Sequence, residues 1–114
     1  MNDVIDKTVF AELQDTAGPE FVQELVGTFL EEAPGLMAEL RAARDAAQAD
    51  SFRRAAHSLK SNSQTFGALR LAEAARSLEL AGLSADPEYD RQAIVALQAA
   101  LDEAATALRE LARG

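Results

Sequence analysis

The sequence contains one histidine, His57, and a lysine one helical turn beyond it, Lys60. Small polar residues (Ser58, Ser61, Asn62, Ser63) surround the pair in the run SFRRAAHSLKSNSQTFGA, from Ser51 to Ala68. At about 100° per residue, a helix over this run gathers Phe52, Ala55, Ala56, Leu59 and Phe66 on one side. His57 falls nearly opposite, with Arg53, Arg54, Lys60, Ser61 and Gln64 as its helical neighbours. An outward imidazole among cations suits phosphoryl capture. Its neutral nitrogen can attack phosphorus, and neighbouring cations favour the neutral form. Such transfer asks for positioning and charge stabilisation more than covalent help. Lys60 can offset the charge on the phosphoryl oxygens, and Gln64 or Ser61 can donate hydrogen bonds.

Competing chemistries lack their parts. A Ser-His-Asp triad needs an orienting carboxylate, and none lies within a turn of His57 on its own helix face. With no cysteine, thiol catalysis, disulfides and thiolate zinc sites are excluded. One histidine leaves a transition metal without its usual nitrogen ligands, so no metal site is expected. There is no Gly-rich phosphate loop, and the chain is expected to bind no ATP and no cofactor of its own. The formal charge of −8 argues against nucleic acid as a partner. The amino terminus, MNDVIDKTVF, carries Asp3 and Asp6 and no long apolar run, so it is not read as a signal peptide. No stretch approaches the roughly 20 apolar residues of a membrane span. A cytoplasmic single domain over residues 1–114 is expected.

The elements that position His57 read as all-α. A short helix is predicted from Thr8 to Thr16 and a second from Pro19 to Glu32, with Pro19 at its first turn and Glu20 at its positive end. The second carries a broad stripe that includes Val22, Val26 and Phe29. That breadth fits either burial from two sides or a partially exposed docking surface. Ala33-Pro34-Gly35 is read as a bend into a third helix, Pro34 to Ala49. Asp50-Ser51 caps the central helix, which ends near Phe66 with Gly67 as the left-handed terminator. Leu69 to Gly82 forms the next helix, with Glu73, Arg76 and Glu79 as a solvated flank. The last runs from Pro87 to about Ala112, with a seam of Ile94, Leu97, Leu101, Ala104, Leu108 and Leu111. Short connections favour an antiparallel up-and-down four-helix bundle. Its core is expected from the second, third, central and fifth helices, with the first as a lid and the last alongside.

AAHSLKSNSQTFGA resembles the signature of histidine-containing phosphotransfer (HPt) domains, approximately A-H-x-L-K-G/S-S/A-x-x-x-x-G-A. Ala56, His57, Leu59, Lys60, Ser61, Ser63, Gly67 and Ala68 occupy the matching places. Upstream, FVQELVGTFLEEAPGLMAELRAA is similar to the family's preceding helical pair, and LRLAEAARSLE to its following helix. Ser61 departs from the glycine of many members and leaves slightly less clearance.

The resemblance implies a phosphorelay intermediate without enzyme activity of its own. His57 would accept a phosphoryl group from the aspartyl phosphate of one receiver domain and pass it to another. The implied partners are response-regulator receivers and a hybrid sensor kinase. Any Mg²⁺ would sit on the receiver, and the carrier would be a monomer. Arg53, Arg54, Ser58 and Ser61 would present a basic docking face beside His57, with Val22, Val26 and Phe29 as its apolar part. An alternative is a non-catalytic helical module that binds signalling domains without being phosphorylated. A third reading, the dimerisation part of a sensor kinase, is disfavoured by Ser58 after the histidine and by the proline-free helix.

Overall fold

A computed structural model describes residues 4–113; Asp3, named above in the amino-terminal reading, lies outside the described residues. Every regular element among them is helical: α1 Lys7–Ala17, α2 Pro19–Asp45, α3 Ala49–Thr65, α4 Leu69–Ala81 and α5 Pro87–Arg113. α3 packs on α2 and α4, α5 packs on the same two, and α1 lies against α2 and α3. α5 therefore completes the core. It contributes buried Ile94, Leu97, Leu101, Ala104 and Leu108, where the sequence reading had placed it alongside.

The two helices expected between Pro19 and Ala49 are one. α2 passes through Pro34 without a break. A proline inside a helix deletes one hydrogen bond and crowds the preceding turn, a cost of about 3 kcal/mol. The buried positions Val22, Val26, Phe29, Ala33, Met37, Leu40 and Ala43 explain why the helix persists. They keep one phase across Pro34, so a break there would take half of the stripe off the core.

The α2–α3 turn also falls earlier than expected, and Asp50 and Ser51 sit inside α3. Ala47 adopts a left-handed φ of 55°. Its N–H bonds to the Arg44 carbonyl, and the Gln48 N–H to that of Ala43. This is a Schellman closure built on alanine.

The α3–α4 turn has the same design built on glycine. Gly67 has φ 77°, with its N–H on Gln64 and the Ala68 N–H on Ser63. Space is short here as well. A β-carbon on Gly67 would stand 2.8 Å from the Asp6 carbonyl oxygen and 3.0 Å from Val9 Cβ. The Asp6 N–H donates to the Gly67 carbonyl, and the Asp6 carboxylate caps α1 through the Thr8 and Val9 amides. One turn thus ends α3, aims α4 and anchors the start of α1.

At the far end, Asp90 is buried although charged. It pairs with Arg44 of α2 and accepts the Ser84 amide, which ties the 82–86 loop to the α2 terminus.

Candidate functional site

α3 buries Phe52, Ala55, Ala56, Leu59 and Ser63, which turns His57 outward. Its side chain is 57% exposed. α4 contributes the partner that a single-helix reading could not contain. Glu79 Oε2 lies 2.6 Å from His57 Nδ1, and Glu79 Oε1 lies 2.7 Å from Lys60 Nζ. One carboxylate therefore holds both the ring and the ammonium. Glu79 is only 18% exposed, so it is no part of a solvated flank. The group touching the ring is an anion, where cations had been expected.

The chemistry follows from the geometry. A carboxylate facing Nδ1 makes that nitrogen the donor, and in the neutral ring the lone pair is then on Nε2. The Lys60 ammonium, and secondarily the His57 ring, hold the Glu79 carboxyl below its ordinary value of 4.5. The anchor is thus ionised at neutral pH.

The other site residues divide between two flanks of α3. Gln64 and Ser61 are exposed, and Ser61 offers its carbonyl to the Thr65 hydroxyl. Arg53 is paired with Asp50 at 2.8 Å. Arg54 and Ser58 face the groove towards α2. Ser63 is buried and donates to the Leu59 carbonyl at 2.6 Å, so it gives no clearance beside the ring. Val22, Val26 and Phe29 are core residues and cannot form the expected docking surface. Phe29 stacks inside the protein against Phe66, with ring centroids 5.4 Å apart. Exposed Phe21 and half-buried Leu25 are what α2 shows in that region.

Glu79 was legible in one respect. It repeats buried Ala72 two turns later, so helix phase places it on the inner flank of α4. What phase could not give is the helix it faces. Among the described residues no three acidic or histidine side chains converge as a metal site would require. Among them, too, no helix is long and apolar enough to cross a membrane.

Comparisons with known proteins give a family and a similar fold. The Hpt domain family model matches residues 24–111. The fold is similar to the crystal structure of histidine-containing phosphotransfer protein B (HptB) from Pseudomonas aeruginosa PAO1. The TM-score is 0.71 at 27% identity, covering 99% of this chain and 94% of that one. No curated protein matches the sequence.

Proposed function

This chain belongs to the Hpt domain family, the histidine phosphotransfer proteins of phosphorelay signalling, and we propose that His57 is its phosphoacceptor. The observation that carries the assignment is the Glu79 carboxylate on Nδ1 of a largely exposed side chain, which in the neutral ring leaves the Nε2 lone pair free. That lone pair forms the P–N bond as the P–O bond of a receiver's aspartyl phosphate breaks, and the aspartate leaves with the bonding electrons. The hydrogen stays on Nδ1. Glu79 stabilises the positive ring so formed, and the Lys60 ammonium that it holds offsets charge on the incoming oxygens. Attack by a second receiver's aspartate on phosphorus breaks the P–N bond and returns the lone pair to Nε2. Gln64 and Ser61, exposed on α3, supply further hydrogen bonds.

The finer assignments follow from this reading. The partners are receiver domains and a hybrid sensor kinase, with Mg²⁺ held by the receiver and no cofactor on this chain. The chain acts as a monomeric cytoplasmic phosphocarrier, one domain over residues 1–114. Its connections of a few residues favour antiparallel neighbours, hence an up-and-down four-helix bundle of α2 to α5. The test is incubation with a phosphorylated receiver carrying labelled phosphate. Wild type should gain acid-labile, alkali-stable label and His57→Gln none; equal label on both would remove His57 from the reaction.

A further inference from the structure

The helix pairs α2–α3, α3–α4, α4–α5 and α5–α2 pack on one another, and α3 does not pack on α5. The face between α2 and α5 therefore lies across the protein from the α3–α4 face that holds His57 and Glu79. A cavity of about 540 Å³ opens there, and every residue lining it belongs to α2 or α5. That volume lies within the range of small-molecule sites.

Two properties of this cavity are not required by the fold. The first is an apolar floor left open to solvent. α5 presents Val95 and Ala99 there on successive turns, and Val95 is 65% exposed, at a position where the core asks for no apolar side chain. The second is a surplus of N–H donors. Arg41 donates to Gln98 Oε1 and has no ion-pair partner among the described residues. Arg91 approaches Asp45 only to 3.8 Å, beyond hydrogen-bond reach. Arg44 spends its Nη1 on Asp90 and the Ser84 carbonyl, while its Nε is buried with no hydrogen-bond partner. A buried donor left unpaired is uncommon and costly.

These donors are also held in place. Gln98, which fixes Arg41, donates in turn to Asp102 Oδ1, and Asp90 fixes Arg44. Arg41, Arg44 and Asp45 share one face of α2 at spacings of three and four, and Arg91 crosses to that face from α5. Guanidiniums fixed in this way lose little freedom when an oxyanion reaches them.

We propose that the α2–α5 cavity binds a small amphiphilic carboxylate. Its apolar body lies on Val95 and Ala99, and its carboxylate takes the free donors of Arg41, Arg44 and Arg91. Asp45 and Asp102, both exposed at the same cavity, oppose a second negative charge, so the site favours a monoanion over a phosphate dianion. The inference does not rest on the phosphotransfer reading.

The test titrates the full chain, ¹⁵N-labelled, with octanoate, octanol, octylamine and octyl phosphate, which share one apolar body. Octanoate should bind saturably and shift the amides of Arg41, Arg91, Val95 and Ala99. The other three should bind weaker by roughly tenfold or more, the factor carried by one charge-assisted hydrogen bond. Arg41→Gln should weaken octanoate by roughly the same factor. Ala99→Leu, which fills the floor from an exposed helical position, should weaken it too, and both variants should melt as wild type does. Arg109→Gln, which removes a charge from α5 outside the cavity, should bind as wild type does. Shifts centred on another face would overturn the proposal, as would equal or tighter binding of the alcohol, the amine or the phosphate. Undiminished binding by Arg41→Gln or Ala99→Leu would overturn it as well. No phosphoryl donor enters the titration, so its outcome is independent of whether His57 takes up label.

Discussion

His57 Nδ1 and Glu79 Oε2 lie 2.6 Å apart, although 22 residues separate them in the chain. The contact is made where α4, which follows the turn at Gly67, packs against α3. The same carboxylate also reaches Lys60. Ring orientation and local charge are therefore set by one residue, which makes Glu79 the place to separate positioning from nucleophilicity.

Glu79→Ala should lower the rate of phosphoryl uptake by about ten- to a hundredfold, by analogy with metal-bound histidines that lose an orienting partner. Glu79→Gln should retain most of the rate, because its amide oxygen can still accept from Nδ1–H. Single-turnover transfer from a phosphorylated receiver measures both. A wild-type rate in Glu79→Ala would show that the ring needs no anchor.

Acid should release the clamp. Glu79 has a folded value depressed below 4.5, so the clamp's stabilisation is complete above that value and is lost as pH falls through the lowered one. A carboxyl-carbon NMR titration should place the Glu79 midpoint below those of the exposed glutamates. Because the Lys60 ammonium is the largest cause, Lys60→Ala should raise that midpoint. It should also slow phosphoryl uptake with the fold intact, since the charge goes while the nucleophile stays. An unmoved midpoint would mean that the ion pair is not formed in solution.

The two left-handed turns should answer substitution with opposite signs. Ala47→Gly relieves a non-glycine residue at φ 55° and should stabilise by about 0.5–1 kcal/mol. Gly67→Ala adds that strain and drives a β-carbon against the Asp6 carbonyl, so a loss of about 2 kcal/mol or more is expected. Urea denaturation of the three proteins measures this directly. Equal midpoints for Gly67→Ala and wild type would show that the α1 anchor moves aside at no cost.

Much of this was legible from local pattern. The phase of Phe52, Ala55, Ala56 and Leu59 sets His57 outward, and Gly67 is a glycine because its φ and its surroundings leave no room for anything else. Two misreadings share one cause. Pro34 reads locally as a breaker, but the register of Ala33, Met37 and Leu40 continues past it. The broad stripe that holds Val22, Val26 and Phe29 does not itself say which neighbour covers it, and in the fold all three are buried. The Glu79 clamp and the arginine-lined cavity lie between helices, and only the packing of α3 against α4 and of α2 against α5 creates them.

Asp90 presents the same problem in its strongest form. In the sequence it is one of two acids in the first turn of α5, an ordinary complement to the helix dipole. In the fold it is 1% exposed, paired with Arg44 and accepting the Ser84 amide. Asp90→Ala leaves a largely buried guanidinium and a backbone N–H without their partner, and should cost about 3–5 kcal/mol. The double change Arg44→Met with Asp90→Leu removes both charges and should recover most of that loss, because a buried pair is often no more stable than apolar residues of similar volume. Urea denaturation of the single and double variants measures both effects. If Asp90→Ala cost less than about 1 kcal/mol, the α2 terminus and the 82–86 loop would not be held by this pair.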